Sequence, residues 1–311
     1  MHRSQPAFSL EVHPPFNLQA TVRVLQRRPQ NLIDRWIDDR YVRVLRIGVE
    51  HVLVATENRG TIDAPDLRYS CQIEVPTETR AIVEPTLRRI LGLDLDPQRL
   101  RRSAGQVNAF DAVARALRGM RPPRFVSLFE AFANVIPFQQ LSLDAGVSIV
   151  TRLVERFGVP LICEEQTYFA FPEASTIASA RIDALRACGL STRKAQTLRD
   201  LARLIESGEL KESELHVMTT QDALRRLVEL PGIGTWSASV VLLSGFGRLD
   251  VFPPGDVGAA KGLRMLMGIE PSADIDPIVA HFGDQRGYLY FHVLGRSLLE
   301  RGLIHVAPVD G

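Results

Sequence analysis

Two stretches of the chain combine residue types that could do chemistry. The first is Leu230-Pro231-Gly232-Ile233-Gly234, set between amphipathic patterns at Ala223–Leu230 and Trp236–Leu243. Proline ends one helix, the two glycines permit the positive φ angles of a very tight turn, and Thr235 is placed to cap the next helix. A helix that begins this way presents backbone N–H groups and the positive end of its dipole, so it attracts phosphate without lysine or a basic chain. The second stretch is Asp250-Val-Phe-Pro-Pro-Gly-Asp256. A carboxylate held there can stabilise a developing positive charge or act on a water molecule. Each stretch alone also has a plainer reading, the hairpin as a link between two packed helices and the aspartate as a turn former or helix cap.

The elements that must position these residues follow from periodicity. Leu67, Tyr69, Cys71, Ile73 and Val75 alternate with Arg68, Ser70, Gln72 and Glu74, the pattern of a half-buried strand. Tyr41–Ile47 and His51–Thr56 are rich in β-branched residues, with a hairpin break at Gly48-Val49-Glu50. Helical patterns at Leu18–Arg28 and Thr77–Leu91 interrupt these strands. Residues 1–103 are therefore expected to form an antiparallel sheet with helices on one face. After Ser103-Ala104-Gly105 apolar residues recur at helical spacing, as at Phe110, Val113, Ala114 and Leu117. Breaks at Arg121-Pro122-Pro123, Phe171-Pro172, Leu230-Pro231 and Glu270-Pro271 divide residues 104–311 into helices of ordinary length. The expected class is α+β, an N-terminal sheet domain followed by an all-α region holding the hairpin (223–243) and the aspartate loop (250–258).

Composition is neutral about partners. The chain has 311 residues, 45% of them hydrophobic, and a net charge of +1. Its pI of 7.8 lacks the basic excess that announces a nucleic-acid binder. No apolar run reaches the roughly 20 residues of a membrane span, and the N-terminus lacks a signal-peptide pattern, so a cytoplasmic location is expected. Cys71, Cys163 and Cys188 form no C-x-x-C pair and read as reduced core thiols, so no metal site of side chains is expected. Among 37 Lys and Arg residues the only lysines are Lys194, Lys211 and Lys261, which leaves few amine nucleophiles.

Leu230-Pro-Gly-Ile-Gly-Thr-Trp-Ser-Ala238 followed by the loop ending at Asp256 resembles the helix-hairpin-helix DNA glycosylases, and most of all the alkylbase (3-methyladenine type II) DNA glycosylases. Further segments extend the resemblance in the correct order: Leu10–Phe16 and Arg88–Asp94 in the sheet domain, Phe129–Ser142, Tyr168–Pro172 and Gly189–Ala195 in the helical region. The resemblance implies a repair enzyme, nucleoid-associated if bacterial, that rotates a damaged base, an alkylated purine, out of double-stranded DNA and hydrolyses its glycosidic bond. It implies Asp256 as the catalytic carboxylate, stabilising an oxocarbenium-like sugar, and a more structural role for Asp250. Pro231, Gly232, Ile233, Gly234 and Thr235 would form the phosphate-binding hairpin. The base pocket would draw on Trp236, Gln139, Val240, Val257, Gln285, Arg286 and Tyr288, with Gln140 or Leu141 as the wedge filling the gap left by the flipped base. Trp236 stands where bifunctional members carry a lysine, which implies a monofunctional hydrolase. A monomer without a required cofactor is expected, with a monovalent cation at the hairpin carbonyls as the one ion the motif could hold. Val240, Val257 and Gln285 depart from the aromatic residues of the family, which puts the lesion spectrum in play. The competing readings are a non-catalytic binder of damaged or distorted DNA and a glycosylase for deaminated or oxidised bases.

Overall fold

The computed structural model describes residues 7–73, 76–96 and 108–305. Strands β1 (Phe8–Ser9), β2 (Arg35–Ile37), β3 (Arg40–Ile47), β4 (Glu50–Asn58) and β5 (Leu67–Cys71) form one antiparallel sheet in the order β1-β5-β4-β3-β2. Ile47 pairs with Glu50 across the two-residue turn Gly48-Val49, as the break in the pattern predicts. The alternation from Leu67 holds only to Cys71. The strand ends there and Ile73, expected on the buried face, is exposed; Val75 lies outside the described residues.

One face of the sheet packs on α1 (Leu18–Gln26) and α2 (Thr77–Ile90), through Tyr41, Leu45, Val52 and Val54. The helical region follows: α3 (Asn108–Ala116), α4 (Leu128–Ala133), a 3-10 turn at Ile136–Phe138, α5 (Leu143–Phe157), α6 (Ala174–Ser179), α7 (Ile182–Arg186), α8 (Thr192–Glu206), α9 (Glu212–Val217), α10 (Thr220–Val228), α11 (Thr235–Phe246), α12 (Val257–Met267), α13 (Asp276–His281) and α14 (Arg286–Glu300). It departs from all-α in one place, a hairpin of β6 (Val159–Cys163) and β7 (Gln166–Ala170). That hairpin covers the second face of the sheet, where Ala170, Leu161 and Tyr168 meet Val42, Val44 and Leu53. Burial on both faces explains why Tyr41–Leu45 is a continuous buried run rather than an alternating one. Cys71 and Cys188 are buried, but Cys163, read from the sequence as a core thiol, is only half-buried on β6.

Arginines knit the two regions together. Arg43 on β3 reaches Asp34 at 2.7 Å and Glu130 on α4 at 2.6 Å, all three side chains buried. Arg89 on α2 donates to the carbonyls of Phe125 and Gly245, and Arg124 returns a bond to the Arg89 carbonyl. The planar guanidinium, with five donors in a fixed fork, suits this bridging of main-chain oxygens. Much of the arginine excess is spent inside the fold. The expected boundary at 103/104 lies outside the described residues.

Candidate active site

The hairpin joins α10 to α11. Gly232 has φ +81, and a Cβ there would stand 2.3 Å from the Thr197 hydroxyl oxygen on α8, so the turn needs glycine for conformation and for contact. Gly234 differs from the expectation: its φ of −94 is ordinary, and a Cβ would meet nothing within 4 Å. It is Gly234, not Thr235, that occupies the cap position, and no side chain caps the helix. The N–H groups of Gly234, Thr235 and Trp236 therefore find no acceptor among the described residues and open to the surface at a helix start.

The loop after α11 is held at its beginning, where the Leu249 carbonyl accepts from Gly287 N–H at 2.7 Å and Leu249 and Val251 are buried. It turns at Gly255, with φ +69, and delivers Asp256 to the start of α12. Asp256 does cap this helix, its Oδ1 accepting from Ala259 N–H at 2.8 Å. Its other oxygen accepts from the Trp236 indole N–H at 2.9 Å. The plain and the chemical readings thus coincide, because the cap bond and the indole bond together fix the plane of the carboxylate. Tyr290 on α14 also faces it: burial first, then the Asp256 charge, holds the phenol well above its usual range.

Two clefts meet at Asp256. One, of about 660 Å³, is walled by Trp236, Val240, Val257, Phe138, Tyr290 and Arg27. The other, of about 770 Å³, runs past the hairpin glycines, Gln139, Gln140, Ser191, Arg193 and Lys194. Leu141, Trp236, Val257 and Asp256 line both. A largely apolar cleft therefore adjoins a groove with free amides, and the carboxylate stands at their junction.

The remaining expected residues divide. Gln139 lies on the groove, but its amide is spent on the Gly232 carbonyl (3.0 Å) and the Ser237 hydroxyl (2.9 Å), tying the turn after α4 to the hairpin. Gln140 is exposed at the tip of that turn with φ +56, a conformation unusual for a side-chain-bearing residue. Leu141 beside it is 46% exposed. Gln285, Arg286 and Tyr288 line neither cleft. Gln285 turns back to the Asp284 carbonyl, Arg286 donates to Gly283, and Tyr288 is buried in the core against His292. Two positions along a helix rotate a side chain by about 200°, so Tyr290, not Tyr288, reaches the cleft. The sequence reading missed Tyr290, Arg27 and the role of Lys194, whose ammonium donates to the carbonyls of Pro137 and Gln139 and pins the turn; burial lowers the pKa of that amine. Asp250, expected to be structural, is exposed and makes no hydrogen bond among the described residues.

Fold and site define a two-part α+β protein in which a helix-hairpin-helix faces an aspartate at the mouth of a largely apolar cleft. Residues 7–127 match the AlkA N-terminal domain and residues 133–281 the HhH-GPD superfamily base excision DNA repair protein. The two matches together leave little of the chain uncovered, and its helical region belongs to the HhH-GPD superfamily of base excision DNA repair proteins. It is 29% identical over 165 residues to a putative DNA-3-methyladenine glycosylase of Bacillus subtilis, covering 53% of this chain and 56% of that one. It is 27% identical over 258 residues to DNA-3-methyladenine glycosylase 2 of Escherichia coli, covering 80% and 84%. The chain thus spans little more than half the length of the two Bacillus subtilis glycosylases it matches. In fold it is similar to the 3-methyladenine DNA glycosylase of Archaeoglobus fulgidus, with a TM-score of 0.78 at 23% identity over 94% of this chain and 98% of the other.

Proposed function

We propose that the chain is a monofunctional DNA glycosylase that flips an alkylated purine into the cleft beneath Trp236 and hydrolyses its glycosidic bond. The observation that carries this is the Asp256 carboxylate at the junction of a ring-sized cleft and an amide-lined groove. The bond to be broken joins base to sugar, so a group acting on it belongs where the base compartment meets the strand. As the base leaves, the sugar becomes electron-poor, and a carboxylate already oriented by Trp236 and Ala259 N–H stabilises that charge with no reorganisation. The hairpin amides receive the phosphates, giving affinity without sequence preference. Gln140 and Leu141, projecting from the pinned turn, fill the gap in the stack. Leu230 and Gly232 offer hairpin carbonyls to a monovalent cation, although each already accepts one hydrogen bond.

The monofunctional reading rests on Trp236 at the nucleophile position. Lys194 spends its amine on two carbonyls, while Lys261 lines the base cleft. Incubation with alkylated genomic DNA should release free bases, identified by mass spectrometry, and borohydride should trap no protein–DNA adduct. Release of no base would overturn the glycosylase reading. An adduct lost on mutating Lys261 or Lys194 would overturn the monofunctional part alone.

A further inference from the structure

The turn after α4 is built against the preference of its own residues. Gln139 has φ −52 and ψ 121, Gln140 has φ +56, and the Leu141 N–H donates to the Phe138 carbonyl at 3.1 Å. These are the marks of a type II turn, whose third position favours glycine or asparagine. Type I, which most residues tolerate there, differs by a flip of the Gln139–Gln140 peptide. Glutamine at that corner therefore carries a backbone cost that its surroundings must hold in place. Two ties meet on Gln139. Its side-chain NH2 donates to the Gly232 carbonyl and the Ser237 hydroxyl, while its own carbonyl accepts from the Lys194 ammonium at 2.6 Å. That carbonyl is the oxygen a flip to type I would carry to the opposite side. The same ammonium donates to the Pro137 carbonyl at 3.1 Å. Phe138, between the two, packs so closely on α5 that a Cβ on Gly146 would stand 2.3 Å from its ring.

Helix stability does not explain Lys194. It stands in the first turn of α8, behind the Ser191 cap, whose hydroxyl accepts from its backbone N–H at 3.3 Å. A cation at a helix N-terminus opposes the dipole, and burial further lowers the pKa of this amine. What the ammonium secures is a pair of carbonyls on another segment, and one of them belongs to the peptide that decides where Gln140 points. Gln140 and Leu141 line the same groove as the hairpin and Asp256. A side chain that enters the base stack from a turn already held in shape has little ordering left to lose on binding. We infer that Lys194 is a positioning residue for base flipping, locking the Gln139–Gln140 peptide in the strained orientation that aims the turn at the base stack. This rests on the glycosylase reading, in which Gln140 and Leu141 fill the gap left by the flipped base.

The test uses the full chain and two duplexes. One carries 2-aminopurine beside a tetrahydrofuran site, so that its emission rises when the stack is opened, and the other carries a single 7-methylguanine. At saturating protein, wild type should raise the emission and Lys194→Met should lose most of that rise. Single-turnover excision should slow by about 10-fold, the lower end of what a hydrogen bond to a charged group contributes. Lys194→Arg, which keeps the charge and several donors, should restore both readouts to within about threefold of wild type. In the Gln140→Asn background, where positive φ is better tolerated, Lys194→Met should cost less than about threefold, because the two sites are coupled. Circular dichroism checks folding, and Lys194→Gln, with the same expectations, replaces Lys194→Met if that variant does not fold. A full emission rise in the folded variant overturns the inference, whatever its excision rate. An equal loss of affinity for damaged and undamaged duplex, with the salt slope reduced by about one, also overturns it and makes Lys194 a phosphate contact. If wild type releases no base yet the emission rise depends on Lys194, the glycosylase reading falls and the positioning role stands.

Discussion

Arg43 and Arg27 come from the same N-terminal region and are used in opposite ways. At the seam between sheet and helices, Arg43 is closed off by Asp34 and Glu130, and Tyr41 adds a hydrogen bond to Asp34. At the cleft, Arg27 is left open, its guanidinium over the rings of Phe138 and Phe125 and in no salt bridge among the described residues. A buried ion cluster whose charges answer one another fixes how two layers dock. A half-buried cation whose donors meet no acceptor among the described residues is costly in the free protein and is rational only where something else completes it. The same contrast separates the polar groups around the hairpin, where the Gln139 side-chain NH2 is spent on two acceptors and the N–H groups at the start of α11 are not.

The largest expected effect tests the closed side. Arg43→Met leaves Asp34 and Glu130 buried without their cation and should cost about 3–5 kcal/mol of stability, measured by urea denaturation. Burial already pushes the Glu130 carboxyl up, so proton uptake will soften the loss. Excision per folded molecule should remain near wild type. Intact stability with lost excision would show that the seam is not merely structural. Next comes the open side. Asp256→Asn should lower the single-turnover rate by about 100- to 1,000-fold, or roughly 3–4 kcal/mol, by analogy with removal of one preorganised electrostatic group. Duplex affinity should persist. Asparagine has one carbonyl oxygen where aspartate has two, so it can serve Ala259 N–H or the Trp236 indole but not both, and a stability loss of about 1 kcal/mol should accompany the rate. A folded variant that excises at near wild-type rate would move the catalytic role elsewhere.

What the sequence displayed were features confined to one local segment. The β3–β4 hairpin, the strand from Leu67, the α10–α11 turn and the Asp256 loop each carry their own periodicity or turn residues, and all four begin where the pattern places them, although the strand stops short at Cys71. What it concealed depends on segments far apart in the chain. The end of α1 meets the cleft more than two hundred residues upstream of Asp256, and no local pattern marks Arg27 as anything but a last-turn cation. Tyr288 and Tyr290 are equally plausible on sequence, and only the rotation of α14 against the core separates them. The β6–β7 hairpin was hidden because its apolar stretch is too short for periodicity to distinguish strand from helix.

The two hairpin glycines sharpen the comparison at smaller scale. Gly232→Val forces a branched residue to φ +81 and into Thr197, so about 1–3 kcal/mol of stability should go, with weaker binding to every duplex sequence alike. Gly234→Val has ordinary φ and open space, so its melting temperature should match wild type. Its effect should be confined to DNA affinity, through the shielded N–H groups. A destabilised Gly234→Val would mean that the hairpin is tighter than its dihedrals indicate.

The smallest effect is expected six residues before the largest catalytic one. Asp250 opens the same loop as Asp256, and the family resemblance gives it a structural role. Yet it is exposed, lines neither cleft and accepts no hydrogen bond among the described residues. The loop's start is fixed without it, by the buried side chains of Leu249 and Val251 and by Gly287 N–H on the Leu249 carbonyl. Asp250→Asn should therefore change stability by less than about 0.5 kcal/mol, as surface substitutions do. Single-turnover excision should stay within roughly twofold of wild type, because a charge this far into solvent is screened from the cleft. Both variants are read on one lesion duplex, with urea denaturation alongside. If Asp250→Asn slows excision as Asp256→Asn does, the loop rearranges when DNA binds and brings a second carboxylate to the sugar. If it instead unfolds the protein, the anchoring of the loop lies in contacts that form around Asp250, and the apolar anchors at Leu249 and Val251 are insufficient.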